Sequence, residues 1–129
     1  MPDADPAALT RLVLAAAREL NAGRYFEAHE ALEEHLDEVP DPYWPLFLGL
    51  IQVAVGYHKL ASGNDGASRM LGIGLEKLAS FDDAVLGIDL GALRARAALD
   101  RARLEGHDAA GAIDGLRRDP PRLLPVATR

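Results

Sequence analysis

Residues 44–60 read WPLFLGLIQVAVGYHKL, and from Leu46 to Tyr57 every residue is apolar or glycine except Gln52. A helix with no polar side has nothing to offer water, so this stretch belongs at the centre of a helical bundle. Polar residues resume at His58 and Lys59, which leaves the run short of the roughly 20 apolar residues that a membrane span takes. Asp41-Pro42 supplies a capping side chain and then proline, and Pro45 still falls in the first turn, where a missing N–H is harmless. The central helix is therefore expected over 42–62. Gly49 and Gly56 lie seven apart, close to one face. Each costs about 1 kcal/mol of helix propensity against alanine, a cost that close approach of another helix offsets.

The flanking sequence reads as amphipathic helices joined by turns. Asp5-Pro6 opens the first, with Leu9, Leu12, Val13, Ala16 and Leu20 as its apolar stripe and Gly23 suited to the left-handed position after its end. A second helix is expected over 24–38, burying Tyr25, Ala28, Leu32 and Leu36, until Val39-Pro40-Asp41-Pro42 breaks it. After the turn Ser62-Gly63-Asn64, Asn64 is expected to cap a fourth helix over 65–81, with Met70, Leu71, Leu75 and Leu78 inward. Residues 82–88 read as a connector. Asp89 caps a fifth helix, whose Leu90, Leu93, Ala97 and Leu104 are apolar while Arg94, Arg96, Arg101 and Arg103 go to the surface. Residues 109–116 make one more short helix, and Asp119-Pro120-Pro121 extends the tail. No stretch alternates as a strand does, so the fold class is all-α, a compact bundle of five to six helices in one domain.

Composition narrows the chemistry. The 129 residues suit a single domain, with 49% apolar and 26% charged residues. Zero cysteines exclude disulfides and thiolate ligands, so a metal site would need His and carboxylates. The opening MPDADPAALT has neither the cationic nor the apolar part of a secretion signal, and a cytoplasmic location is expected. A net charge of −6 and pI near 5.1 argue against nucleic acid as a partner. The charge is uneven, with ten acids against three bases in 1–41 and six against eight in 89–129.

The second helix carries His29-Glu30-Ala31-Leu32-Glu33, an HExxE string. At about 100° per residue, Glu33 lies about 40° around the helix from His29, and Glu30 about 60° beyond Glu33. All three project from one edge of the apolar stripe. The string resembles the HExxH of zinc peptidases with Glu in place of the second His. A divalent metal there would take His29 and Glu33, with Glu30 as a further ligand or general base and His58 as the third ligand from another helix. A carboxylate-bridged di-iron bundle is excluded, because it needs Glu three residues before His on two helices. Here Phe26, Leu32, Val55 and Leu104 precede the four histidines at that spacing. Gln52 and His58 sit inside or at the end of the apolar run, and burying either without a partner costs roughly 1–3 kcal/mol. The acidic edge of the second helix is the expected partner. No Walker loop, dinucleotide-binding glycine fingerprint or GxSxG string occurs.

Taken together, NAGRYFEAHEALEE at 21–34 and FLGLIQVAVGYHKLASGNDGASRML at 47–71 resemble the DUF309 family of small bacterial, archaeal and plant-plastid helical proteins. The match rests on Phe26, Glu27, Ala28, His29, Glu30 and Glu33, on Gly49, Leu50, Ile51 and Gln52, and on His58, Gly63, Asn64, Gly66 and Ala67. It covers about residues 19–93, fading after 81, and leaves a peripheral tail at 108–129. Members usually carry Trp near position 36, where this chain has His35-Leu36. The resemblance implies a compact all-α bundle and assigns no reaction.

Three functional readings follow. The first is a helical domain without a cofactor that binds a small ligand or a protein partner, a second copy of itself included. Its site is a buried or cleft-lining network of His29, Glu30, Glu33, Gln52 and His58, with Tyr25 and Trp44 as aromatic walls and Asn64 in the turn. The second is a hydrolase or lyase in which His29, Glu30 and Glu33 are catalytic, with or without a divalent metal on His29, Glu33 and His58. In the third the network only fixes helix register. Nucleic acid and membrane are not expected as partners.

Overall fold

The computed structural model describes residues 5–126. Residues 1–4, the start of the acidic N-terminal stretch, and 127–129, the end of the tail, lie outside the described residues. Six α-helices account for most of the described chain: α1 (Pro6–Asn21), α2 (Tyr25–Glu33), α3 (Trp44–Ala61), α4 (Ala67–Leu78), α5 (Leu90–Glu105) and α6 (Ala109–Arg118). The all-α architecture expected from periodicity is present. Three helices start on aspartate caps: Asp5 accepts from the Ala8 N–H at 2.7 Å, Asp89 from Ala92 at 3.0 Å and Asp108 from Gly111 at 2.9 Å. Gly23 and Gly63 adopt φ of +80° and +70°, ending α1 and α3 in the left-handed region.

Four boundaries differ from the sequence reading. The central helix starts at Trp44 rather than 42, with Tyr43 at the cap position and no capping hydrogen bond from the Asp41 side chain. The reason is that residues 40–43 form a turn, in which the Pro40 carbonyl accepts from the Trp44 N–H at 3.0 Å. The second helix ends at Glu33 rather than 38, followed by a 3-10 turn over Leu36–Glu38. Glu33, Glu34, Asp37 and Glu38 would crowd negative charge at a helix C-terminus, which its dipole disfavours, and no basic residue sits in the last turn. The fourth helix starts at Ala67, and Asn64 does not cap it. Its Oδ1 instead accepts from the Gly66 N–H at 3.2 Å within the preceding turn, and Gly66 takes the cap position. After α4, the expected connector contains a minimal antiparallel hairpin, β1 (Ala84–Val85) and β2 (Ile88–Asp89). Leu86 and Gly87 turn it with φ of +50° and +74°, both central residues left-handed as a tight hairpin of native twist requires.

The tail is part of the core rather than peripheral. Asn21 Nδ2 donates to the Leu123 carbonyl at 3.1 Å, and the Leu123 N–H returns to Asn21 Oδ1 at 2.7 Å. The Asp89 and Val126 N–H groups donate to Leu124 and Gly87 carbonyls, each at 2.8 Å. These bonds press Leu123 into the apolar interior beside Val13, Leu20 and Leu50.

At the centre α3 packs most extensively on α4, then on α2, while α1 covers α2 and α5 covers α4. The α3–α4 contact is a glycine contact. A Cβ on Gly74 would meet the Gly49 carbonyl oxygen at 2.9 Å and the Val53 nitrogen at 3.0 Å, and one on Gly56 would meet Leu71 Cδ2 at 2.8 Å. Gly49 and Gly56 thus do what their spacing implied, with Gly74 answering from the other helix. No described helix is long and apolar enough to cross a membrane.

Because Gly74 faces the Gly49 and Val53 backbone as well as the stiff Val53 side chain, Gly74→Ala is expected to lose more in strain, about 1–3 kcal/mol, than the roughly 1 kcal/mol it gains in helix propensity. Urea unfolding should show a lower midpoint than wild type with an unchanged slope.

Candidate functional site

The central helix is not enclosed on all sides. From Leu46 to Leu60 the residues that are not buried are Leu48, Gln52, Val55, His58 and Lys59, and Trp44 at the start of the helix is 39% exposed. Positions 44, 48, 52, 55 and 59 fall on one side of a helix. Water therefore reaches a strip along α3, and Gln52, the one residue of the 46–57 run that is neither apolar nor glycine, falls on it beside Leu48 and Val55. A central helix apolar on nearly every side needs more cover than the short helices around it give, and along this side the cover is incomplete.

Phe26 of α2 borders the strip and is 46% exposed. Its ring lies 5.3 Å from the His58 ring and 4.8 Å from the His29 ring, centroid to centroid. His29 Nδ1 lies 2.6 Å from the Phe26 carbonyl oxygen, and Nε2 lies 3.2 Å from Glu33 Oε2. Both ring nitrogens thus face oxygen atoms of α2.

The structure brings some of the anticipated residues together and separates others. His29 and Glu33 pair on α2, and His58 joins them only through Phe26, the ring that both imidazoles touch. Glu30 is exposed and outside this pair. Among the described residues no group of three or more His, Asp or Glu side chains is placed to hold a metal ion, and the His29, Glu33 and His58 set is not assembled. The expected network is therefore a surface edge rather than a buried cluster. Gln52 does not reach it either: its Oε1 is covered but has no hydrogen-bond partner. Tyr25 turns inward, its ring 5.5 Å from that of Tyr57. Asn64 lies apart, on a cavity of about 400 Å³ with Ser68, Leu104, His107 and Ile113.

The buried polar centre lies elsewhere, in residues the sequence reading did not single out. Asp100 is fully buried on α5. Its Oδ2 accepts from the Tyr57 hydroxyl at 2.7 Å and from Arg96 Nε at 2.9 Å, while Oδ1 has no partner. Arg96 Nη2 also donates to the Gly115 carbonyl at 3.2 Å, which ties α6 to the same point. Arg96, expected on the surface, is thus largely buried. The available signal was register: Asp100 falls on the apolar stripe of Leu90, Leu93, Ala97 and Leu104, where a carboxylate must be met by donors. Burial pushes the Tyr57 hydroxyl far up, and the Asp100 charge and hydrogen bond add to it. Tyr25 is pushed up to about 12, chiefly by burial, with Arg96 opposing and Asp100 reinforcing.

Residues 13–71 match the model of a family described as a domain of unknown function, DUF309. The matched stretch holds Phe26, His29, Glu33, the whole of α3 and the loop to α4, and it excludes Arg96 and Asp100. No curated protein and no solved structure matches the chain.

Two outcomes follow from the buried centre. Asp100→Ala should cost about 3–5 kcal/mol, because it strands the Arg96 charge and the Tyr57 hydroxyl; Asp100→Asn, which keeps an acceptor, should cost less in the same denaturation series. Both tyrosines hold their protons more tightly folded than unfolded, so stability is complete below pH 10 and is lost as pH rises through about 12. Thermal melts should fall across that window, and less steeply in Tyr25→Phe.

Proposed function

We propose that the DUF309 domain carried by residues 13–71 is a binding module that docks another polypeptide along the uncovered strip of α3. The observation behind this reading is the strip itself. A soluble fold rarely leaves the side of its most apolar helix open to water, and a contiguous apolar patch rimmed by polar groups is the usual mark of a protein-docking surface. Here Leu48 and Val55 form the middle of the strip, Trp44 stands at one end, and His58 and Lys59 at the other. Phe26 widens it from α2. Aromatic residues of this kind, half in contact with the protein and half in water, are the groups that dominate docking energies when a partner covers them.

The His29–Glu33 pair supports the same reading. It holds the Phe26 carbonyl and the exposed turn of α2 in place, so the ring is presented in a fixed orientation. His29 acts here as a support for the aromatic edge, and Glu33 as the support of His29.

The test is site-specific photo-crosslinking in cells that express the full chain. A photoreactive side chain at Leu48 or Val55 should give discrete polypeptide adducts, and one at exposed Arg117 on α6 should not. Absence of adducts at both strip positions, or equal labelling at all three, would overturn the docking reading.

A further inference from the structure

Away from the α3 strip, the tail crosses α1 in an extended run. Of its residues 119–126 only Pro121 and Leu123 are buried, while Arg122 and Leu124 on either side of Leu123 are exposed. That alternation is the pattern of a strand with one face down. Leu123 drops into a slot walled by Val13, Ala17 and Leu20 of α1, Ala28 and Leu32 of α2 and Leu50 of α3. Alanines make the slot. Ala16, Ala17 and Ala28 stand on the buried sides of their helices, where larger side chains would have filled the space from within. Beside Leu123 a gap of about 10 Å³ remains, so leucine is not the largest residue the slot can take.

We infer that this slot is a docking site for an extended peptide segment of a partner protein, one that inserts a single leucine-sized or longer apolar side chain, and that the chain's own tail occupies it as an internal competitor. The tail is held as a bound peptide is held. Both backbone groups of Leu123 bond to the Asn21 carboxamide, the N–H to Oδ1 at 2.7 Å and the carbonyl to Nδ2 at 3.1 Å. The following residues add to the edge of the hairpin, with the Asp89 N–H donating to the Leu124 carbonyl and the Val126 N–H to the Gly87 carbonyl. Strand addition of this kind supplies affinity through the backbone, and a pocket for one side chain supplies selectivity. Asn21 and every wall of the slot fall within the family-matched residues 13–71, whereas the tail lies outside them. The attachment is also light, since two buried side chains and these backbone bonds hold the whole segment. Such segments open without unfolding the rest of a protein. Pro120, Pro121 and Pro125 keep the released tail extended, and its tether keeps its local concentration high. The slot shares no residue with the α3 strip, so neither site depends on the other.

Two measurements on the full chain test this. In the wild type the Leu123 and Val126 N–H groups should exchange with deuterium together, roughly a hundredfold or more faster than those of Val53 and Tyr57 in α3. Exchange of Leu123 at the rate of Val53 would overturn the competitor role, because the tail would then leave only when the whole chain unfolds. The second measurement is the fluorescence anisotropy of a labelled peptide of residues 119–126, DPPRLLPV. Full-length Leu123→Asp cannot fill its own slot and should bind this peptide roughly tenfold or more tighter than the wild type does. The same peptide carrying Leu123→Asp should not bind. Adding Asn21→Ala to the Leu123→Asp chain should weaken binding of the unchanged peptide roughly tenfold. Equal binding by wild type and Leu123→Asp, or equal binding of the two peptides, would overturn the site. Should Leu123→Asp fail to fold, Leu123→Ala empties the slot without adding charge and carries the same comparison.

Discussion

Everything in this fold depends on how closely α3 lies against α4. Gly74 rests on the backbone of Gly49 and Val53, and Gly56 admits Leu71, so the helices approach to backbone contact over two turns. Dispersion forces fall off steeply with distance, and a contact this close gains more per residue than one propped apart by side chains. It also fixes the rotation of α3. With α4 held to one side of the helix and α2 packed on another, only the side carrying Trp44, Leu48, Gln52, Val55 and Lys59 is left for water. The open strip follows from the glycine contact.

The second constraint comes from the opposite side of α3. Tyr57 points away from the strip into the bundle, where Asp100 receives its hydroxyl and the guanidinium of Arg96. A buried carboxylate costs several kcal/mol to desolvate, and two good donors recover much of that without making the pair a large net stabiliser. What it supplies is position. Tyr25 of α2 stacks on Tyr57 of α3, Arg96 and Asp100 belong to α5, and the Gly115 carbonyl to α6. One polar cluster thus relates four helices, and a shift of any of them would leave a buried group unpaired.

Much of this was legible in the sequence. Aspartate before a helix start, proline in the first turn and glycine after the end act through local backbone chemistry, and α1, α3, α5 and α6 begin or end where those residues stand. The seven-residue spacing of Gly49 and Gly56 likewise announced a close neighbour. Other features depend on partners distant in the chain. The early end of α2 reflects four acids near one helix terminus, a charge effect that the apolar periodicity of Leu32 and Leu36 conceals. Asp100 interrupts an apolar stripe, and its meaning appears only with Tyr57, which is 43 residues away. The strip on α3 was half legible. Periodicity finds a solvent face by its polarity, and Gln52, His58 and Lys59 do stand on or beside this one, while Leu48 and Val55 give it the apolar character of the buried sides. The HExxE string drew attention to the right edge of α2. Its arrangement came from geometry alone: Phe26 stands between His29 and His58, and Gln52 remains apart.

The chain contains no cysteine, which makes one measurement of the central claim especially direct. Val55→Cys places a single thiol on the strip, and Val53→Cys places one on a fully buried side of the same helix. In the folded chain a water-soluble alkylating reagent should label Val55→Cys readily and Val53→Cys only after unfolding. Equal protection of the two thiols would contradict an open strip on α3.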